Sequence, residues 1–310
     1  MKKIPQKFDL KCDTNNVKIF HDIDVQHLNY CTPMNRNLTY IILVLMGSFA
    51  LFYPTPTAQA REQWKFLAKG IEYAVFHINI LPEIGGGKAH VVRIDPALAK
   101  LKLLLASEHD KKLRTTAEWC KDFNLVAAIN AGMFQKDFLT NVGYLRNGSY
   151  IQNKRWSSKY KSVLAFAPKK TGLPPAIMVD LDAPDAMKKL EDYNAVVQNL
   201  RLIKGNGINV WEKSNKKWSE SAVGIDQQGR ILFLFCRLPY AMREFNEAVK
   251  SLGLGVTRLM HMEGGSSASL SIRTRDGNVD LVESYETEIE PDVINKVLRS
   301  IPNVIGVQTR

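Results

Sequence analysis

Ala222-Val223-Gly224-Ile225-Asp226-Gln227-Gln228-Gly229-Arg230-Ile231-Leu232-Phe233-Leu234-Phe235-Cys236 sets two apolar, β-rich runs on either side of a short polar break. Asp226 opens the break and Gly229 closes it, where a residue with positive φ is needed, so 222–226 and 230–236 read as an antiparallel hairpin. Just downstream, Met242, Phe245, Val249 and Leu252 recur at helical spacing and Gly253 follows as a stop, which predicts a helix of about three turns. A strand at 256–263 comes directly after it.

Upstream, strands are expected at 71–80, 90–95, 100–107, 125–129, 142–145, 162–167, 176–181 and 198–203. Thr115 and Glu118 have the spacing of a capping box, predicting a short helix to about Phe123. A second helix should start from Asp182-Ala183-Pro184-Asp185, with Pro184 near its first position and Asp180, Asp182 and Asp185 acting as caps. Strands outnumber helices, helices interrupt them irregularly, and no repeat is visible. The expected fold is α+β: a single domain with a mixed, mostly antiparallel sheet core and a few flanking helices.

Tyr40 to Tyr53 is a run of fourteen apolar or small residues, followed by Pro54-Thr55-Pro56-Thr57 and Ala58-Gln59-Ala60. The run falls short of the roughly 20 residues of a membrane span, and a small-x-small triplet behind it suits signal peptidase. Residues 1–60 therefore read as a leader cut after Ala60, with Met34 a possible start, leaving a domain at 61–310 in the periplasm or outside the cell. An uncleaved leader would instead anchor the chain to the membrane. Of the 310 residues, 42 are Lys or Arg and 31 Asp or Glu. Removing the leader's six Lys and Arg and four Asp and Glu leaves 36 against 27, a net charge of +9 on 250 residues. No run of five basic residues occurs, so nucleic acid is not an expected partner. Cys120 and Cys236 remain, to pair in an oxidising compartment or to stay buried as thiols.

Nucleophile-elbow, phosphate-loop, zinc and calcium motifs are all missing, and neither a cofactor nor a metal is expected. Two segments stand out. Ala127-Ala128-Ile129-Asn130-Ala131-Gly132-Met133-Phe134 ends an apolar strand with an amide and small residues. In Leu259-Met260-His261-Met262-Glu263-Gly264-Gly265-Ser266-Ser267-Ala268-Ser269-Leu270, alternation puts His261 and Glu263 on one strand face and Met260 and Met262 on the other, with the glycines leaving the carboxylate uncrowded.

Asn130-Ala131-Gly132-Met133-Phe134, Gln198-Asn199-Leu200-Arg201-Leu202, Gly224-Ile225-Asp226-Gln227-Gln228-Gly229-Arg230 and Glu263-Gly264-Gly265-Ser266-Ser267, in that order, resemble the signatures of the phosphodiester glycosidase family across roughly residues 70–285. Glu263 stands where better-known members have Asp, and Ala131 replaces the first Gly of an Asn-Gly-Gly run. The resemblance implies hydrolysis at the anomeric carbon of a sugar linked through phosphate, with envelope glycans the expected source and a carbohydrate or sugar phosphate as partner. A noncatalytic glycan-binding protein of the same fold is the alternative.

In the implied site, Glu263 stabilises the oxocarbenium-like carbon or activates water, and Arg201 neutralises the departing phosphate. Asn130 and Ser269 position sugar hydroxyls, the Gly264 and Gly265 amides donate to an oxyanion or phosphate, and His261 carries a proton. Gly132, Gln198, Ser267 and Asp226 complete the expected substrate-binding set. Gln198 and Arg201 would share a pocket only across a strand end or bulge, and Asp226 doubles as a turn cap.

Overall fold

Alternation along the central hairpin explains the layering. The computed structural model describes residues 64–78, 87–283 and 297–310, which belong to one of the chain's two units, residues 60–310. The leader expected at 1–60 lies outside the described residues. Eighteen strands, numbered β1 to β18 in chain order, form three sheets in this region. The first runs β1 (Lys65–Ala68), β2 (Ile71–Ile78), β3 (Gly87–Ile94), β14 (Ile231–Tyr240), β13 (Trp218–Asp226), β15 (Val256–Gly264), β11 (Arg201–Lys204), β12 (Ile208–Asn209). The second is β7 (Tyr150–Asn153), β6 (Leu145–Asn147), β10 (Tyr193–Asn199), β8 (Ser162–Pro168), β9 (Ala176–Asp180). The third is β17 (Gly277–Val282), β16 (Ser269–Thr274), β5 (Ala127–Asn130), β18 (Asn303–Thr309), β4 (Ala99–Leu105).

On β14, Ile231, Phe233 and Phe235 enter a core shared by all three sheets. Leu232, Leu234, Cys236 and Leu238 face the other way, into a second core closed by helix α3 (Met242–Ser251). Helix α1 (Thr116–Asp122) covers the outer face of the third sheet through Trp119 and Cys120, and helix α2 (Ala186–Glu191) that of the second through Ala186 and Leu190. A strand buried on both faces reads as a continuous apolar run, as β14 does. The molecule is largely β and broadly α+β, with three helices among the described residues.

Three corrections follow. Every pairing among the described strands is antiparallel, so no part of the sheets is mixed. The strand expected at 142–145 begins only at Leu145, because the Tyr144 amide is taken by Gln198 Oε1 at 3.0 Å. Helix α2 starts at Ala186, beyond Pro184, and its N-cap Asp185 makes no side-chain cap bond. Asp180 and Asp182 bind arginines instead. The Thr115–Glu118 capping box closes in both directions, as expected. Cys120 and Cys236 are buried on the outer faces of different sheets and form no bridge.

Candidate active site

Strand β15 carries the site at its C-terminal end. Ser221 pairs with Glu263 and Ala222 with His261, so Met262 is an extra residue in a bulge. Met260 and Met262 both enter the shared core, and Glu263, paired with Ser221, joins them on that face. The bulge thus parts it from His261, which alternation predicts beside it but which, paired with Ala222, lies on the other face. There His261 Nδ1 lies 2.6 Å from Glu220 Oε1, a carboxylate on β13 with 1% of its surface exposed. The indole of Trp218 donates from Nε1 to Glu220 Oε2 at 3.1 Å, and its ring lies so close to Gly264 that a Cβ there would stand 2.6 Å from Cδ1. Only glycine fits at 264.

Two carboxylates and one imidazole thus share a nearly dry strand end. Burial pushes the Glu263 carboxyl up to about 7, and the negative charge of Glu220 adds to this. The His261 charge and the Gly264 amide, 3.2 Å from Glu263 Oε1, pull it back down. Burial by itself would lower His261, but contact with Glu220, helped by Glu263, outweighs it and leaves the imidazole raised above its ordinary value. The proton between Glu220 and His261 belongs to the pair.

Asn130 is tied into the same end of the fold. Its Nδ2 donates to the Ser267 carbonyl at 2.9 Å, and its Oδ1 accepts the Ser269 amide at 2.8 Å. The Ser221 hydroxyl is shared between Asn130 Oδ1 and the Glu263 carbonyl, each at 3.1 Å. Asn130 is therefore occupied in joining β5, β13, β16 and the Gly265–Ser267 turn. Gly265 sits at φ +66 and its carbonyl accepts from Ser219 Oγ. Ser269 Oγ is buried with no partner. Gly132 has φ +120, and a Cβ there would stand 2.6 Å from Asn141 Oδ1. The neighbouring Asn199 donates to the Met262 carbonyl at 3.3 Å.

Three expected residues have partners of their own. Arg201 pairs in register with Met260, so it lies on the face opposite His261. Its Nη1 contacts Asp180 at 3.3 Å and Asp182 at 2.7 Å. A strand end at Leu200 does separate Gln198 from Arg201. Gln198, however, donates to the Ser157 and Tyr160 carbonyls and accepts from the Tyr144 and Ser157 amides, which fills its hydrogen-bonding capacity. Asp226 accepts the Gln228 and Arg230 amides and pairs with Arg230 Nε at 2.6 Å, capping its hairpin.

Glu220, Trp218 and Ser221 were not in the expected set. Their signal is a carboxylate two residues before an apolar strand core, at a position alternation buries. Cavities of about 660 Å³, beside Phe166 and Gln308, and 430 Å³, beside Met178 and Arg258, open elsewhere, and Glu263 lines neither. Among the described residues, no three His, Cys, Asp or Glu side chains are placed to hold a metal.

A family model described as phosphodiester glycosidase matches residues 123–308. The fold is similar to that of the zebrafish N-acetylglucosamine-1-phosphodiester alpha-N-acetylglucosaminidase catalytic domain auto-inhibited by its pro-peptide, with 12% identity and a TM-score of 0.58. That alignment covers 80% of this chain and 88% of the other. A hypothetical protein from Synechocystis aligns with 15% identity and a TM-score of 0.52, over 78% of this chain and 62% of its own. No curated protein matches the sequence.

Proposed function

The chain belongs to the phosphodiester glycosidase family, which supports a glycosidase-type hydrolase, and from that premise we propose that it cleaves the bond between a sugar's anomeric carbon and a phosphodiester oxygen, with Glu263 as the working carboxylate. The relative of known fold is named for an N-acetylglucosamine-1-phosphodiester, and a substrate of that class, borne on envelope glycans, is the one we assign here.

The carrying observation is the half-buried Glu263, raised to about 7 beside the Gly264 amide. A carboxylate with that affinity for protons is matched to a general base at neutral pH. Ionised Glu263 takes a proton from water while the water oxygen bonds to the anomeric carbon. The carbon–oxygen bond breaks, and its electron pair leaves on the phosphate oxygen. The products are the free sugar and a phosphate monoester, and Glu263 returns its proton to solvent. A phosphate is a good leaving group without a strong acid, so charge control is the main task left to the protein. Asn130 acts at one remove, through Ser221, Ser267 and Ser269, by holding the strand end that presents Glu263.

Export completes the reading. The apolar run and Ala58-Gln59-Ala60 support cleavage after Ala60 and a domain at 61–310, and no described helix is long and apolar enough to cross a membrane. N-terminal sequencing of the protein recovered outside the cytoplasm tests this, with Arg61 expected first. A sugar-1-phosphodiester assay comparing wild type with Glu263→Gln tests the chemistry. Equal turnover removes Glu263 from the mechanism.

A further inference from the structure

We propose that Asn199 is the positioning residue of Glu263: its amide clasps the bulge at Met262 and so keeps the working carboxylate on the face of Ser221, turned away from Glu220. This rests on the hydrolase reading above and deepens it by naming the side chain that presents the carboxylate.

The bulge decides which face carries Glu263. Beyond the Ala222–His261 pair, regular pairing would set Met262 against Ser221 and Glu263 against Glu220. Two carboxylates directly opposite each other on neighbouring strands repel, and both would then lie on the face that carries His261. With Met262 inserted, Ser221 meets Glu263, and Glu220 meets Gly264, which has no side chain. One extra residue therefore separates Glu263 from the Glu220–His261 pair. The bulge is a choice between two registers, and the chosen one has to be held.

The holding groups come from the point at which the chain leaves the second sheet for the first. β10 ends at Asn199 and β11 starts at Arg201, with Leu200 between them. The Leu200 carbonyl accepts the His261 amide at 3.0 Å, just before the bulge, and Asn199 Nδ2 donates to the Met262 carbonyl at 3.3 Å, within it. Asn199 cannot present its oxygen there instead, because Oδ1 accepts the Leu200 amide at 2.8 Å and an N–H meets only the oxygen. The residue is fully buried, and a Cβ at Gly132 would stand 3.1 Å from its Nδ2, so the side chain is wedged between the end of β5 and the bulge. The next carbonyl, that of Glu263, is held by the Ser221 hydroxyl at 3.1 Å. Asn199 from one side and Ser221 from the other thus pin the two carbonyls that follow His261. Without the Asn199 donor the Met262 carbonyl is buried and unmatched, at a cost that return to the regular ladder removes. Asn199 touches no reacting atom in this scheme and acts through the backbone of Glu263.

The test compares wild-type protein with Asn199→Leu, which keeps the bulk of the side chain and removes the amide. The Glu263 carboxyl carbon is followed by 13C NMR and identified by the loss of its signal in Glu263→Gln. Its midpoint should be about 7 in wild type. In Asn199→Leu it should rise by at least about half a pH unit, as Glu263 comes to face Glu220. On a sugar-1-phosphodiester kcat should drop at least about tenfold, the effect of a misplaced catalytic group, with KM within about twofold of wild type. An unchanged Glu263 midpoint in folded Asn199→Leu overturns the inference, whatever happens to stability. Should that variant fail to fold, Asn199→Ser, whose side chain ends short of the Met262 carbonyl, takes its place with the same rise expected. Equal turnover of wild type and Glu263→Gln sinks the hydrolase reading separately, and the Glu263 titration still decides the role of Asn199 where no substrate turns over.

Discussion

Two buried carboxylates, Asp180 and Glu220, lie on opposite faces of the first sheet, and their partners behave in opposite ways. At Asp180, a carboxylate with 7% of its side chain exposed accepts Arg201 Nη1, Arg258 Nε at 2.8 Å and the Gly205 amide at 3.0 Å. The guanidinium beside Asp182 holds that carboxyl below its usual value. At Glu220, a similarly buried carboxylate has an imidazole partner, while Glu263 stands on the opposite face of the same strand end. Arginine does not give up its proton in proteins, so the first cluster is a fixed tie between β9, β11 and β15. Histidine can, so the proton held between Glu220 and His261 is one that can leave.

The sharpest way to break this contrast is at Glu263. Glu263→Gln should lower kcat on a sugar-1-phosphodiester by at least about 100-fold, the lower end of general-base contributions, read by steady-state phosphate-monoester release. The pH profile comes next. Glu263 must be ionised, so kcat/KM should rise with pH to a plateau above about 7 as Glu263 loses its proton, by about tenfold per pH unit below the plateau. A profile flat from pH 5 to 8 would separate Glu263 from the rate.

Asp180→Ala tests the other cluster. It leaves Arg201 and Arg258 without their shared partner and should cost about 3 kcal/mol of unfolding free energy, the scale for removing one partner of a buried ion pair. Urea denaturation measures it. Turnover of the folded fraction should stay within about threefold of wild type, since Asp180 bonds Arg201, Arg258 and the Gly205 amide and none of the groups bonded to Glu263. A collapse of kcat in soluble, folded Asp180→Ala would show that the two clusters are coupled. Smaller still, Gly264→Ala drives a methyl toward the Trp218 ring and should cost about 1–2 kcal/mol through overpacking. Thermal unfolding and indole fluorescence would report it together.

The sequence carried a good deal of the fold. The β13–β14 hairpin, the capping box at Thr115 and Glu118, and helix α3 ending before Gly253 are local features, written in residues close enough to interact along the chain. The family was legible as well, because its four motifs are short segments in a set order and the matched span 123–308 contains all of them. The candidate site was less so. Glu263, His261, Asn130, Arg201 and Gln198 carry equally suggestive side chains in the sequence, and what distinguishes them in the fold is their partners. Asp180 and Asp182 for Arg201, and Ser157 and Tyr160 for Gln198, lie about 20 to 40 residues away along the chain.

By itself, then, the order of amino acids determined strand alternation, turns, caps and the carboxylate waiting at a glycine-flanked strand end. Only the folded molecule decided which acid meets which base. Side-chain period sets the face on which a residue points, but the register between strands sets its neighbour, and here a single bulged residue, Met262, governs how His261 and Glu263 line up with Ser221 and Ala222. Proton affinity depends on that neighbour and on how much water is excluded, both of them properties of packing in three dimensions.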